Sequence, residues 1–225
     1  MQNTRFDNYR DLEDRATDLM MRHLQHADIP AHGLVLAGGR TPLRLYRRLA
    51  AEGVTANRGA HVILSDERYV AEDSPEHNFG NMKAMIRSLG IPASRIIRPH
   101  TGLPIDESAR EFDRALAAFL SRGTITLALL GLGADGHTAS LFRAEDVRRG
   151  ARCYAVSTSR SHGPADRISV TRGLLLRAER VVFLVTGEEK ADAVSALLAA
   201  PETIAAGQAV EGIPDVEVWY TPATV

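Results

Sequence analysis

Asp135 and His137 stand two residues apart in the stretch LALLGLGADGHTASLF, residues 127–142, where an apolar run meets Gly131, Gly133 and Gly136. An imidazole with an ordinary pKa of about 6.5 takes and returns protons near neutrality, which suits a general base. An aspartate in the same turn can orient that imidazole or hold a substrate hydroxyl. Glycines let the backbone approach a small ligand. Together these residues read as the floor of a hydrolytic site in which His137 activates water and Asp135 assists.

The same glycines match the spacing G-x-G-x-x-G of a dinucleotide-binding turn. That reading calls for an acidic residue about 20 residues further on, to hold a ribose. The segment there, RCYAVSTSRSHG, has no carboxylate before Asp166. Asp135 also falls inside the turn that would cradle a pyrophosphate, and the motif lies past mid-chain rather than in the first β–α unit. The catalytic reading fits better. A plainer reading also stands: Asp135 caps a helix HTASLF and His137 lies on the surface.

Three other stretches carry polar chemistry. AGGRTP (37–42) places Gly38, Gly39, Arg40 and Thr41 at the start of a helix, where free amides and the positive dipole end suit a phosphate or another anion. A tight turn with an N-cap is its bland alternative. SDERYVAEDSPEHN (65–78) opens with Asp66, Glu67 and Arg68. This triplet is either an internal salt bridge or a set of sugar-hydroxyl acceptors with an anion donor. VTGEEK (185–190) puts Lys190 in the first turn of a helix, against the dipole, which is more understandable beside a bound anion. Arg167 of DRISVT is a possible second anion donor.

The elements that must position these residues alternate. Phe6, Tyr9, Leu12, Ala16, Leu19, Met20 and Leu24 make residues 5–27 an amphipathic helix. Strands are expected at 33–37, 61–65, 125–133, 180–187 and 216–220, with weaker ones at 152–157 and 167–171. Helices are expected at 41–53, capped by Thr41 with Pro42 in its first turn, and at 79–90, 106–123, 171–179 and 188–200. Continuous apolar strands between helices predict one α/β domain over residues 1–225, a mainly parallel twisted sheet with helices on both faces. In such sheets ligands bind outside the carboxyl ends of the strands. The loops beginning at Gly38, Asp66, Gly131 and Thr186 occupy those ends.

Bulk properties narrow the class. The chain has 225 residues, with 27 Lys and Arg against 28 Asp and Glu, a formal net charge of -1. That balance gives no reason to expect nucleic acid or a membrane as partner. Cys153 is the lone cysteine, the first residues are polar, and no apolar run approaches the ~18 residues of a membrane span, so a cytoplasmic protein is expected. No G-x-S-x-G elbow, HExxH or paired-cysteine pattern occurs. His23 and His26 are expected to face solvent.

LAGGRTPLRLY, LSDERYVAEDSPEHN, LLGLGADGHTASLF, RISVT and LVTGEEKADAV, in this order and spacing, resemble the 6-phosphogluconolactonase branch of the glucosamine-6-phosphate isomerase superfamily. The resemblance spans about residues 33–200 and implies a Rossmann-like sheet of the lactonase type. It implies hydrolysis of 6-phospho-D-glucono-1,5-lactone without metal or organic cofactor, with a small sugar phosphate as the partner molecule. It assigns the phosphate to Gly38, Gly39, Arg40, Thr41, Arg167 and Lys190, the base to His137, and a further substrate-side role to Arg68. The TASLF continuation is lactonase-like, whereas isomerases usually follow DGH with an asparagine–glutamate segment; here Glu145 comes later. An isomerase or deaminase, or a non-catalytic sugar-phosphate sensor, is the alternative. The chain departs from the family pattern at Ala71 and Arg143, where proline is frequent, and at His77, where serine is usual.

Overall fold

The computed structural model describes residues 1–149, 153–160 and 166–224. Its centre is a seven-stranded sheet in which every pair is parallel. In chain order the strands are β1 (Gln2–Arg5), β2 (His32–Leu36), β3 (Ala60–Leu64), β5 (Ile96–Ile97), β6 (Thr124–Leu130), β9 (Val181–Thr186) and β10 (Val216–Thr221). Their spatial order is β1-β10-β9-β6-β2-β3-β5. Successive strands move outward one way from β2 to β5 and the other way from β6 to β10. The order therefore reverses between β2 and β6, and a crevice opens there at the carboxyl ends.

The apolar strands are continuous in sequence because both faces are covered. Side chains alternate between the two faces. Val35, Ile63, Ala128, Leu130, Phe183 and Val218 pack on one side against Phe112, Leu116 and Phe119 of α4 (Ile105–Leu120). Leu34, Leu36, Val62, Leu129, Leu184 and Trp219 pack on the other against α1 (Tyr9–Leu24) and α2 (Arg40–Ala51). The Asn8 side chain starts α1 by accepting from the Asp11 amide at 3.0 Å.

A second, antiparallel sheet lies beside the crevice, ordered β4-β8-β7 from β4 (Asp66–Arg68), β7 (Ala155–Ser159) and β8 (Asp166–Val170). It contains the two weaker strands of the sequence. The expected strand at 152–157 begins outside the described residues and otherwise forms later than predicted. β1 is unexpected: its side chains carry no apolar alternation, and its backbone pairs with the edge of β10, Gln2 opposite Glu217. The helix expected from residue 5 consequently begins at Tyr9.

Two more corrections concern the site. HTASLF is not helical; Thr138 and Leu141 form an isolated antiparallel bridge, and Ala139 takes φ 47°. A non-glycine residue there is strained, which surrounding contacts must offset. The next helix is α5 (Ala144–Arg149). Likewise Glu188–Lys190 is a 3-10 turn, and α7 (Ala191–Ala199) starts only after it, so Lys190 precedes the α-helix. α3 (Asn78–Ser88), α6 (Arg172–Leu175) and α8 (Ala205–Val210) complete the helices named here.

Candidate active site

A cleft of about 400 Å³ opens at the reversal point, a size that suits a small metabolite. Its walls include Gly39, Arg40, Thr41, Asp66, Arg68, His137, Arg167 and Lys190. Of the residues singled out in the sequence, Gly38 and Asp135 do not line it.

After β2 the chain turns through Gly38 and Gly39 into α2. Gly39, not Thr41, is the N-cap, with no side-chain acceptor on the first amides, so the helix start keeps donors free beside the cleft. Thr41, released from capping, pairs its hydroxyl with that of Thr186 at 2.9 Å and ties this loop to the end of β9. Gly38 serves packing: a Cβ there would stand 2.2 Å from Asn78 Cγ. Asn78 lines the cleft, donates its Nδ2 to the Asp66 carbonyl at 3.0 Å, and leaves its Oδ1 buried without a protein partner.

The acidic triplet divides its work. Asp66 accepts from the Ser65 hydroxyl at 2.7 Å and from that of Ser140 at 2.6 Å, so both carboxylate oxygens are engaged. Glu67 is fully buried and accepts the amides of Arg68, Asn78 and Phe79 at 2.9, 2.6 and 2.8 Å, which closes the loop onto the start of α3. Burial pushes its carboxyl up to about 7, against the pull of those amides. Arg68 stands opposite Arg167 in the β4–β8 pair. Arg167 is 6% exposed, its Nε has no partner among the described residues, and burial followed by the charge of Arg68 pulls it below the usual arginine range. Both guanidinium groups line the cleft.

After β6 the turn closes on itself through Gly133 N–H to the His137 carbonyl at 2.8 Å. The Asp135 carboxylate bonds His137 Nδ1, and this bond holds its pKa well below the usual carboxylate range. The pair lies flat on Gly133, where a Cβ would be 2.0 Å from His137 Nδ1. Gly136, at φ 79°, supplies the left-handed step of the turn, and its carbonyl accepts the Ala206 amide at 2.9 Å. Gly133, the second glycine of the apparent nucleotide fingerprint, thus seats a histidine–aspartate pair. The His137 ring tilts against Phe142 at 4.9 Å. With Nδ1 engaged, Nε2 is the nitrogen open to a water or a substrate.

Thr186 ends β9, and Gly187 at φ 103° turns the chain so that Glu189 and Lys190 line the same cleft. Arg160, Ser140, Asn78, Phe142 and Glu189 are cleft residues that sequence reasoning missed. Asn78, Ser140, Phe142 and Glu189 lie inside stretches the sequence had singled out, whereas Arg160 carried no signal. Cations on the cleft walls (Arg40, Arg68, Arg160, Arg167 and Lys190) outnumber the carboxylates Asp66 and Glu189, so the cavity favours an anion.

Elsewhere, His23 and His26 are only half-exposed, each with a buried Nδ1 lacking a partner, which corrects the expectation that they face solvent. No helix among the described residues is long and apolar enough to cross a membrane.

The profile of glucosamine-6-phosphate isomerases/6-phosphogluconolactonase matches residues 7–215. A 6-phosphogluconolactonase of Thermotoga maritima is 37% identical over 168 residues, 73% of this chain and 74% of its own. One of Haemophilus influenzae is 33% identical over 182 residues, 76% and 75% of the two chains. The crystal structure of 6-phosphogluconolactonase from Thermotoga maritima superposes with a TM-score of 0.82 at 28% identity, covering 98% of each chain. A monomeric glucosamine-6-phosphate deaminase shares the fold at a TM-score of 0.76 and 20% identity, with 98% of this chain and 97% of that one covered. With a parallel sheet of that form and a match over most of its length, the chain belongs to the glucosamine-6-phosphate isomerase/6-phosphogluconolactonase family.

Proposed function

We propose that this protein hydrolyses 6-phospho-D-glucono-1,5-lactone to 6-phospho-D-gluconate, with His137 as the base. The observation that carries the reading is the convergence in one cleft of an aspartate-held imidazole with cations from the other strand-end loops. The matching relatives named as 6-phosphogluconolactonases support it.

In this reading the phosphate is gripped by Arg167 and Lys190, with Arg68, Arg40, Thr41 and the amides after Gly38 and Gly39 completing the grip. That anchors the far end of the sugar and brings its C1 carbonyl beside His137, the proximity contribution to rate. His137 Nε2 takes a proton from water as the oxygen attacks C1. Negative charge gathers on the carbonyl oxygen. The tetrahedral carbon then expels the ring oxygen, which leaves with the proton His137 had taken, and the new carboxylic acid ionises. Asp135 keeps the imidazole oriented and stabilises its charged form. A lactone is an activated ester, so a base and a stabilised oxyanion suffice, with no cofactor or covalent nucleophile in the scheme.

Glu145 is exposed on α5 and outside the cleft, which favours hydrolysis over the isomerase reading, where a further acid or base must reach the substrate. The reading also includes a cytoplasmic location, supported by the single cysteine. The deciding experiment adds purified protein to freshly generated lactone near neutral pH. Hydrolysis well above the spontaneous rate is expected. A rate equal to the spontaneous one would end the proposal, and ammonia release from glucosamine 6-phosphate would replace it with the deaminase reading.

A further inference from the structure

We propose that Arg160 is a positioning residue of the same site, bracing Asp135 so that its carboxylate stays aimed at His137. No motif in the sequence points to it. Arg160 follows β7, the outer strand of the small sheet, whose last pair sets Ser159 opposite Asp166 and so brings the end of β7 beside Arg167. From there the side chain reaches the cleft wall.

Two contacts define its place. Its Nη2 is 3.9 Å from Asp135 Oδ2, while Asp135 Oδ1 is the atom that bonds His137 Nδ1. Its guanidinium carbon is 5.6 Å from the Phe142 ring centroid, and the His137 ring packs on that same phenyl group. Arg160, Asp135, His137 and Phe142 thus close a circuit in which the arginine holds the carboxylate on one side and the aromatic support on the other. A guanidinium suits both contacts, since its charge attracts a carboxylate at ion-pair distance and the face of an aromatic ring.

The consequences follow from what Asp135 does. Its side chain is 52% exposed, and among the described residues no other side chain engages its second oxygen, so without Arg160 the carboxylate can swing and solvate. The imidazole would then lose the bond that keeps the proton on Nδ1 and leaves Nε2 free to act as a base. The pair is half-exposed and adds little to global stability. Its contribution falls on orientation, which enters kcat rather than KM.

The test compares wild type with Arg160→Gln and Arg160→Lys. Because the inference rests on the lactonase reading for its kinetic arm, a second readout needs no substrate: the imidazole ¹⁵N shifts of His137, which report its tautomer. Arg160→Gln is expected to lower kcat about fivefold with KM within about twofold, the scale of one exposed ion pair. It is also expected to mix the two neutral tautomers, with Arg160→Lys restoring much of both. Wild-type ¹⁵N shifts in Arg160→Gln would overturn the proposal, as would a raised KM at unchanged kcat, which would make Arg160 a substrate contact. Absence of lactonase activity in wild type would fail the functional reading alone, leaving the tautomer comparison to decide the brace.

Discussion

Arg68 and Arg167 face each other directly across the β4–β8 pair, two guanidinium groups on one cleft wall. Like charges opposed in a ladder destabilise a sheet by a few tenths to about 1 kcal/mol. Arg167 adds to this by being buried with its Nε unpartnered among the described residues. In the proposed reading a bound dianion would offset both costs, accepting from the two forks and cancelling the repulsion.

Arg68→Gln is accordingly expected to give a ligand-free protein as stable as wild type, or up to about 1 kcal/mol more so in urea unfolding. The same variant is expected to raise KM for the lactone about tenfold, the ~1.4 kcal/mol scale of one charge-assisted hydrogen bond. A destabilised variant with unchanged KM would mean that Arg68 works for the fold and not for the ligand.

The bond from Asp135 to His137 Nδ1 sets the second prediction. His137→Ala is expected to lower kcat about 10²-fold or more, the range of general base catalysis, with KM little changed because the proposed phosphate grip is untouched. Asp135→Asn is expected to lose less, about tenfold or more, since the imidazole remains but its tautomer and charge are no longer supported. The Asp135 carboxyl titrates well below its ordinary range, so it stays ionised across the pH range of the assay. Equal activity of wild type and His137→Ala over the spontaneous rate would remove the base from the mechanism.

Much of this site was legible because apolar strands end abruptly in glycine or charge. Leu34 to Leu36 running into Gly38, and Leu127 to Leu130 running into Gly131, mark strand ends, and the sheet rule then puts those loops at one rim. The DGH turn offered Asp135 and His137 by residue type, and the structure brings the two side chains together. What stayed hidden was decided by contacts distant in sequence. Gln2–Arg5 becomes a strand because its backbone completes the β10 edge, which needs no side-chain pattern. HTASLF has helix-compatible residues, yet the Ser140 hydroxyl goes to Asp66 and its amide to the Ser169 hydroxyl at 3.1 Å, which holds the segment open. Arg160 lies outside every motif and enters the cleft only because β7 pairs with β8.

Gly133 gives a third prediction that tests geometry rather than chemistry. A methyl group there would sit 2.0 Å from His137 Nδ1 and 2.3 Å from Asp135 Oδ1, so the pair must move. Gly133→Ala is expected to cost about 10²-fold in kcat, the penalty of displacing a catalytic group by about 1 Å. KM is expected to hold, because the residues proposed to grip the phosphate come from other loops. A variant with full kcat would show that the pair tolerates displacement and that its seating on Gly133 is incidental.

The last prediction concerns pH and the fold. His23, His32, His61 and His77 all have pKa values lowered first by burial, His23 to about 4, and His23 is further opposed by the charge of Arg180. Each is neutral when folded but takes a proton more readily when unfolded, near its ordinary value of 6.5. Their stabilisation is therefore complete above that value and is lost as pH falls toward the folded one. Glu67 works in the opposite sense: with its carboxyl raised from 4.5 to about 7, its contribution weakens as pH rises across that window. Four histidines against one glutamate leave a net loss on acidification. The urea midpoint is expected to fall between pH ~7.5 and ~5, and to fall less in His23→Leu, which removes the imidazole lowered to about 4. Equal midpoints at the two pH values would show that protonating these imidazoles costs the fold nothing, and an undiminished drop in His23→Leu would place the acid sensitivity elsewhere.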